Sequence, residues 1–487
     1  MSMNSAAVRA DGDYVLYWMI AFRRTEWNFS LQRAVEWAVE LQKPLLIFEP
    51  LRSGYRWASD RLHRFVIDGM ADNASRIASL NHPGVHYFPW VEREPDEGKG
   101  LLMALAERAC VVVTDDFPSF FLPRMVASAA SVCPVYFEQV DSNGLLPLYC
   151  TERAFTTAHS FRAFLQKELP KHLNQFPRHD PLRKLRLPPM TRLPSQITRR
   201  WPAVSPNLLA GSPAELAKLP IDHTVGVTNL KGGREAARSR LHDFLEQRLA
   251  LYAAGANEPD EDSRSGLSPA LHFGQIAPQE LFLSVVQQEE WTPEQLGSST
   301  GGRREGWWGM SAAAESWLDE LITWRELGYN LTSHTADYDR YESLPAWSRA
   351  TLEKHAADRR QFIYSLEEFT AATTHDPLWN AAQRQLVREG RIHNYLRMLW
   401  GKKILEWTAS PRDALEIMIE LNNRFALDGR NPNSFSGIFW VLGRYDRAWG
   451  PERPIFGTVR YMSSDSTRRK LRVRQYLQRY GGTGELP

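Results

Sequence analysis

The periodicity of apolar residues changes once along this 487-residue chain, and no other feature constrains the fold as strongly. In the first 150 residues, short apolar runs alternate with amphipathic helical patterns such as 31–41 and 61–80. Parallel strands need crossover connections of this kind, so the alternation predicts a doubly wound parallel sheet. The predicted strands are Tyr14–Ile20, Pro44–Phe48, Val85–Phe88, Val111–Thr114 and Pro134–Glu138.

Prolines and basic residues separate this region from an almost entirely helical one. Between about residues 171 and 220, prolines interrupt any helix, which predicts a connector lying over the surface. After Gly232 apolar residues recur at helical spacing, and the predicted helices are 233–254, 278–289, 311–332, 350–358, 377–389, 391–408 and 411–424. We therefore expect an α/β N-terminal domain with a doubly wound parallel sheet at 1–165, a linker at 166–225 and an all-α C-terminal domain at 226–487.

The composition excludes several classes of protein. Hydrophobic residues make up 43% and charged residues 24%, as in globular chains rather than disordered ones. The formal net charge is only +2, so any surface for nucleic acid must be local. The scattered Cys110, Cys133 and Cys150 fit neither a disulfide framework nor a zinc site, and we expect no metal. Without a signal peptide or transmembrane pattern, we expect a cytoplasmic protein, associated with the nucleoid if the source is bacterial.

One candidate anion site lies at residues 265–274. Ser268 precedes Pro269 and is predicted to cap a helix, whose first backbone N–H groups can receive a phosphate. Tyr252 and Arg264 would add a phenol and a cation for the same anion. By itself the run is more typical of a capped helix that binds nothing.

A second candidate pairs a carboxylate with an indole. Glu320 and Trp324 are four residues apart and share one face of an α-helix. Such a pair can hydrogen-bond the edge of a nucleic-acid base and stack on its ring. The alternative is a surface glutamate beside a tryptophan of the core.

Two further patterns suit redox chemistry. Trp400 and Trp407 are seven residues apart, hence two helical turns or about 10.5 Å along the axis, a separation suited to electron hopping between rings. Asn422 and Asp428-Gly429 lie near a helix end, where an amide and a carboxylate can address the polar edge of an isoalloxazine. The alternatives are core tryptophans and an ordinary turn.

Taken together, these blocks resemble class II cyclobutane pyrimidine dimer (CPD) DNA photolyases of the photolyase/cryptochrome family. The similar runs are SGLSPALHFGQI at 265–276, DELITWREL at 319–327, THDPLWNAAQ at 374–383, RMLWGKKILEW at 397–407, LDGRNPN at 427–433 and ERPIFGTVRYM at 452–462. The resemblance implies a helical domain that binds FAD. It also implies light-driven electron transfer from reduced FAD to a dimer flipped out of UV-damaged DNA, the family being among the base-flipping enzymes.

The resemblance also implies roles for individual residues. Those expected to bind the cofactor are Tyr252, Arg264, Ser265, Gly266, Leu267, Ser268, His272, Trp400, Asn422, Asp428 and Gly429, with Asn422 facing flavin N5. Those expected to bind the substrate are Glu320 and Met398 at the bases, with Trp324 and Trp440 flanking the dimer. From their charge alone, the candidates for phosphate contact are Arg447, Arg453, Arg468, Arg469 and Lys470, although Arg468–Arg479 is equally typical of a solvated helix face. In photoreduction Trp400 would be proximal to the flavin and Trp379 distal, with Trp407 and Tyr364 as side branches. Glu320, Trp400, Trp379 and Asn422 would form the catalytic centre.

Some positions depart from the class II pattern. The run Phe22–Asn28 replaces an Arg-rich run followed by Asp-Asn, and Asn423 and Asn431 stand where Asp is common. A second, antenna chromophore of the 8-hydroxy-deazaflavin or folate type is therefore an open expectation. We expect a monomer. Two other functions remain open at this stage, a cryptochrome-like FAD blue-light photoreceptor without repair activity and a Trp-rich helical binding protein without flavin, although Glu320, Trp324, Met398 and Trp440 favour repair.

Overall fold

The strands predicted in the first third of the chain form one parallel sheet. The computed structural model describes residues 1–190, 192–255 and 257–482. The strands are β1 Tyr14–Trp18, β2 Leu45–Leu51, β3 Val85–Val91, β4 Ala109–Asp116 and β5 Tyr136–Asp141. They lie in the order β3-β2-β1-β4-β5, and every neighbouring pair is parallel. The chain winds outward from β1 in one direction and then in the other, which confirms the doubly wound prediction.

Helices follow each of the first four strands and make up most of the rest of the chain. They are α1 Phe29–Glu40, α2 Asp60–Leu80, α3 Leu101–Ala106, α4 Leu122–Val132, α5 Ala158–Glu168, α6 Ser195–Arg200, α7 Pro206–Leu209, α8 Pro213–Leu216, α9 Arg234–Gln247, α10 Tyr252–Gly255, α11 Ser268–His272, α12 Pro278–Gln288, α13 Ala312–Leu318, α14 Arg325–His334, α15 Ala346–Lys354, α16 Leu366–Thr370, α17 Pro377–Glu389, α18 Asn394–Glu406, α19 Pro411–Phe425, α20 Pro432–Val441, α21 Ser464–Lys470 and α22 Arg474–Tyr480. Within the described ranges, no helix has the length and apolar character needed to cross a membrane.

Burial on both faces explains why β1 and β4 are nearly continuous apolar runs, since every residue of both strands is buried. The loop after β1 is fixed by Asp115 at the carboxyl end of β4. One carboxylate oxygen of Asp115 accepts hydrogen bonds from the backbone N–H groups of Ile20, Ala21 and Phe22 at 2.7–2.9 Å. Its other oxygen accepts one from the Tyr17 hydroxyl at 2.7 Å. A buried carboxylate with this many donors holds the loop in one conformation.

The chain divides into two compact units that are interleaved along the sequence. The first comprises Met1–Pro147, His172–Leu241 and Leu267–Ser284, and the second comprises Leu148–Lys171, His242–Gly266 and the chain from Val285 onward. The expected linker does not simply lie over the surface, because its Leu208, Leu216 and Leu219 are buried in a core cluster of the first unit. The expected functional division at 1–165, 166–225 and 226–487 stays a prediction.

Most helices begin within three residues of their predicted starts, but three predictions were wrong in detail. The helix expected at 233–254 is interrupted, because α9 ends at Gln247 and a 3-10 turn at Leu249–Leu251 separates it from α10. The helix expected at 350–358 is α15, which starts four residues earlier, directly after Pro345 at its N-cap position. The helix expected at 311–332 is interrupted, since Asp319–Trp324 forms a π-helix between α13 and α14. A π turn preserves the apolar spacing of a helix closely enough that sequence periodicity does not reveal it.

Candidate functional site

Two half-buried tryptophans of the second unit form one aromatic surface. Trp324 ends the π-helix and Trp440 lies near the end of α20, and their ring centroids are 6.2 Å apart with a 56° tilt. Helices α14 and α20 approach closely because Gly328 has no side chain: a Cβ there would lie 2.8 Å from the Cα of Asn433. The structure therefore brings together two residues that are 116 positions apart and leaves both partly accessible.

Glu320 lies on the same π-helix in an enclosed but solvent-accessible position. Its side chain is exposed, yet surrounding protein raises the pKa of its carboxyl by desolvation, opposed first by the charge of Arg264. Desolvation disfavours the charged form of this carboxyl, although the side chain can still reach solvent. Half-buried Met398 lies on α18, which packs against α20.

Tyr252 and Arg264 form the pair that the sequence suggested. Arg264 donates a hydrogen bond to the Tyr252 hydroxyl at 3.0 Å, and its guanidinium carbon lies 5.4 Å from the ring centroid. Burial raises the pKa of Tyr252 to about 12, so the phenol is neutral. The pair presents a fixed cation and hydroxyl, as anion recognition requires.

The predicted phosphate segment divides between the two units. Tyr252, Arg264, Ser265 and Gly266 belong to the second unit, whereas Leu267, Ser268 and His272 belong to the first. Ser265 and Gly266 are half-buried, and His272 packs edge-on against Phe117 with centroids 6.4 Å apart.

The prediction that Ser268 caps a helix was wrong. Helix α11 starts at Ser268 itself, and its N-cap is Leu267, which makes no side-chain capping bond. Leu267 already has right-handed helical angles, φ −91° and ψ −9°, after Gly266 at φ +66°. The left-handed turn that glycine makes easily thus lets the chain enter the helix one residue early.

Three buried tryptophans of the second unit form a chain of contacts. Trp379 Nε1 donates to the backbone oxygen of Trp400 at 3.0 Å, and the Trp400 Nε1 donates to Gln383 at 2.9 Å. Trp379 also contacts Trp407, with ring centroids 6.0 Å apart. Their exposures are 2% for Trp400, 0% for Trp379 and 3% for Trp407. We call Trp400, Trp379 and Trp407 the tryptophan relay. The spacing of Trp400 and Trp407 suggested a direct pair, but Trp379 contacts both.

Tyr364 extends the tryptophan relay toward the surface. Its ring centroid is 5.8 Å from that of Trp407, and its backbone N–H donates to the Trp407 carbonyl at 3.0 Å. Its hydroxyl is hydrogen-bonded to His375, an exposed residue that sequence reasoning did not single out.

The turn after α19 carries the predicted amide and carboxylate. Asn422 is buried, and its Nδ2 donates to Asn423 Oδ1 and Ser434 Oγ, both at 3.2 Å. Half-buried Asp428 is 3.5 Å from Arg397, and Gly429 beside it is buried. This turn is held by α19 and α20 on both sides, so the Asn422 and Asp428 side chains have fixed positions.

Several buried polar atoms of the second unit have no hydrogen-bond partner among the described residues. They include both ring nitrogens of His393, Nε2 of Gln383 and Nδ2 of Asn423. Desolvation, aided by the charge of Arg264, lowers the pKa of His393 to about 3 and keeps it neutral. Buried polar groups normally have partners, so each of these atoms is a candidate to contact a polar ligand.

A basic loop between α20 and α21 carries the predicted phosphate ligands. Exposed Arg447 and Arg460 lie 4.9 and 5.1 Å from the ring of Trp449, which is 37% exposed. Arg453 is also exposed and lies over Tyr461 at 5.0 Å. Sequence analysis missed Trp449, although a tryptophan two residues from an arginine in a basic run signals nucleic-acid stacking.

An aromatic cluster lies at the carboxyl ends of β2 and β4 in the first unit. Tyr55 stacks on His63 with centroids 5.9 Å apart and a 9° angle between rings, and Trp57 stacks on Phe120. Phe121 completes the cluster against Tyr55 at 5.8 Å. Burial lowers the pKa of His63 to about 4, so its ring is neutral. Ligands of doubly wound sheets bind at this edge.

Comparisons with known proteins agree along nearly the whole chain, although no family model matches it. A deoxyribodipyrimidine photo-lyase of Methanothermobacter thermautotrophicus is 35% identical over 485 residues, covering 99% of this chain and 97% of that protein. Photo-lyases of Potorous tridactylus and Arabidopsis thaliana are each 31% identical over 95% of this chain, covering 80% and 88% of those proteins. The crystal structure of a bacterial class III photolyase from Agrobacterium tumefaciens has a TM-score of 0.69 at 16% identity, covering 96% of this chain and 86% of that one, and shows the shared fold.

Proposed function

This chain belongs to the deoxyribodipyrimidine photo-lyase family, and from that premise we propose that it is a lyase that repairs cyclobutane pyrimidine dimers in DNA, using light and reduced FAD. The observation that carries the proposal is that accessible Glu320 lies four residues before Trp324, which contacts Trp440, while a tryptophan relay is buried in the same unit. The class II assignment stays a prediction from the sequence runs.

The polar atoms without partners support a flavin site. We infer that the uncommitted nitrogens of His393, Gln383 and Asn423 face polar atoms of FAD, since leaving them unpaired costs about 1–3 kcal/mol each. Tyr252, Arg264, Ser265, Gly266, Trp400, Asn422, Asp428 and Gly429 of the second unit would hold the cofactor, and the roles expected of Leu267, Ser268 and His272 stay predictions. When bound and reduced, FAD supplies the photoexcited electron that opens the cyclobutane ring.

The side chains of Glu320, Trp324, Met398 and Trp440 suit a flipped pyrimidine dimer. Trp324 and Trp440 provide apolar faces, and Met398 adds a polarisable thioether. The Glu320 carboxyl can hydrogen-bond the base edges, and its raised pKa favours the protonated acid, which is a donor to a carbonyl oxygen. A rigid, partly desolvated pocket fixes the distance over which an electron travels.

The basic loop suits the DNA that surrounds a flipped lesion. Arg447, Arg453 and Arg460 can contact phosphates, and Trp449 can stack in the gap that the dimer leaves. Arg468, Arg469 and Lys470 on α21 extend the positive surface, which we assign to UV-damaged DNA.

The tryptophan relay suits photoreduction, because its three indoles are buried from water and Trp379 contacts both the backbone of Trp400 and the ring of Trp407. We assign Trp400 to the proximal position, Trp379 to the next and Trp407 to the third, with Tyr364 at the end. This order makes Trp407 and Tyr364 continuations of the relay rather than side branches.

A second chromophore fits the aromatic cluster of the first unit. The cluster consists of aromatic rings on which a planar heterocycle could stack. Its members are Tyr55, Trp57, Phe120, Phe121 and the neutral ring of His63. We propose that an antenna of the 8-hydroxy-deazaflavin or folate type binds there. The free thiols of Cys110 and Cys133 support a reducing, cytoplasmic location. The monomeric state stays a prediction.

The test is to illuminate the reduced protein with DNA that contains dimers and to measure restored thymine. Restored thymine supports a repair enzyme. A flavin-loaded protein that photoreduces but restores none is instead a cryptochrome-like photoreceptor. A protein that holds no flavin after reconstitution rules out both functions.

A further inference from the structure

Tyr364 and His375 form a hydrogen-bonded pair at the outer end of the tryptophan relay. The Tyr364 hydroxyl lies 2.7 Å from Nδ1 of His375, and the backbone N–H of His375 donates to the same hydroxyl oxygen at 3.0 Å. The backbone N–H uses one acceptor position of the phenol, and a hydroxyl that donates its own proton to Nδ1 completes the pair. In that arrangement Nδ1 is unprotonated and the ring proton is on Nε2.

Ring packing fixes this geometry. Phe362 stacks on His375 with centroids 3.8 Å apart and a 23° angle, and Tyr364 is nearly parallel to His375 at 21°. Trp407 contacts both, at 5.8 Å from Tyr364 and 4.9 Å from His375. Tyr364 is half-buried, whereas His375 is exposed, so the imidazole connects the phenol to solvent.

We propose that His375 accepts the phenolic proton of Tyr364 when Tyr364 gives an electron to oxidised Trp407, so that the positive hole ends as a neutral tyrosyl radical. This inference rests on the proposed function, because the hole on Trp407 originates in photoreduction. Tyr364 loses one electron to the Trp407 radical cation and one proton to Nδ1. The products are neutral Trp407, a Tyr364 radical and a His375 imidazolium.

The step follows from the acidity of an oxidised phenol. Removing an electron from tyrosine without moving its proton creates a cationic phenol, which is far less stable than the neutral radical. An acceptor at hydrogen-bond distance removes that barrier without rearrangement. The backbone N–H of His375 stays in place and stabilises the oxygen. A soluble thiol then supplies one electron to the radical at the surface, and His375 returns the proton.

The experiment follows radicals in the oxidised, flavin-loaded protein after a light pulse, by transient absorption and electron paramagnetic resonance. We expect a tyrosyl signal in the parent that forms more slowly in deuterated solvent. In His375→Phe, which keeps the stack on Phe362, tyrosyl formation should slow by about 10²-fold or more, leaving a tryptophan radical. Tyr364→Phe should give the same tryptophan radical, and the double variant should show no further change.

Two controls separate proton acceptance from packing. Added imidazole should restore the tyrosyl signal in His375→Ala, because the site is open to solvent, and it should not restore it in Tyr364→Phe. Histidine NMR in the dark should show His375 protonated at Nε2.

A tyrosyl radical formed at the parental rate in His375→Phe, or the opposite tautomer, overturns the proposal. A parent that repairs dimers and forms tryptophan radicals but no tyrosyl radical also overturns it and leaves the proposed function intact. Failure of the parent to bind flavin or repair DNA overturns the proposed function.

Discussion

The second unit uses tryptophan in two opposite environments, and the contrast separates two tasks. Trp379, Trp400 and Trp407 are at most 3% exposed and make ring and indole hydrogen-bond contacts with one another or with neighbouring backbone. Trp324, Trp440 and Trp449 are partly accessible to solvent. Buried rings exclude water from a charge-transfer route, whereas open rings offer stacking energy to bases. The environment, not the residue type, assigns the role.

Replacing a relay tryptophan should have the largest effect. In Trp400→Phe, photoreduction of bound flavin should be lost, because phenylalanine is much harder to oxidise. Chemical reduction should then restore repair. Flavin absorbance during illumination measures the first step, and Trp291→Phe is the matched control, since Trp291 is buried in the same unit but contacts Trp308. If Trp400→Phe is photoreduced at the parental rate, the buried tryptophans are not the electron-transfer route, and the assignment of the two groups to different tasks is wrong.

Glu320 tests the accessible side of the comparison. Glu320→Ala should lower single-turnover repair about 10- to 100-fold, because a base edge that loses its hydrogen-bond partner costs about 1–3 kcal/mol. Because burial raises the pKa of this carboxyl, the acid is a donor at higher pH than an ordinary glutamate, so Glu320→Gln should recover part of the rate. Photoreduction should be unaffected in both variants. Glu416→Gln, on the exposed part of α19, is the control, and equal repair by Glu320→Ala and the parent contradicts the assigned role.

Trp449 should affect DNA binding and nothing in the relay. Trp449→Ala should weaken binding to dimer-containing duplex about tenfold, within the range of about 1–3 kcal/mol for base stacking. Val227→Ala replaces another exposed apolar residue and should leave affinity unchanged. Measuring DNA affinity at several salt concentrations adds a check. Arg460→Ala should reduce the slope of log affinity against log salt by about the value of one phosphate contact, whereas Trp449→Ala should leave the slope unchanged. Unchanged affinity in Trp449→Ala would move this tryptophan out of the DNA-binding group.

The smallest expected effect concerns stability in acid. Burial lowers the pKa of His393 in the folded protein, so the unfolded chain binds a proton that the folded chain does not. The free energy of unfolding should therefore fall as pH decreases below about 6.5, the ordinary histidine pKa. Between about pH 7 and about pH 5, the free energy of unfolding should fall by about 1 kcal/mol less in His393→Gln than in the parent. Urea unfolding at each pH measures this difference. His159→Gln, at an exposed histidine, is the control. Equal losses in parent and His393→Gln would mean that His393 is protonated in the folded state.

Local pattern was enough to predict much of this molecule. Val111–Thr114 and its partner strands could be predicted because buried parallel strands are apolar throughout. The π-helix at Asp319–Trp324 could not, since its spacing imitates an α-helix, and Ser268 was assigned to the wrong position because the angles of Leu267 decide where α11 starts. The leucines of the proline-rich segment are buried for a tertiary reason, the apolar surface of α2 and the strands beside it.

Contacts between distant loops were the hardest to foresee. Tyr364 and His375 lie eleven residues apart on either side of α16, where no periodicity links them. Trp449 carries a local signal, but only its exposure distinguishes it from core tryptophans. The family resemblance supplied the roles of Glu320 and Asn422, while their burial and hydrogen bonds required coordinates.

The interleaving of the two units has a consequence for synthesis on the ribosome. The sheet unit needs residues as far as Ser284, and the helical unit includes Leu148–Lys171, which are made long before its remainder. A nascent chain must therefore hold an early segment unassembled until its partners emerge, at about 5–20 residues per second. For the same reason, a clone that stops at residue 165 would lack Gln275, which bonds to Phe65 and Gly233, and Arg234, which pairs with Glu26. Recombinant work on either half should express the whole polypeptide.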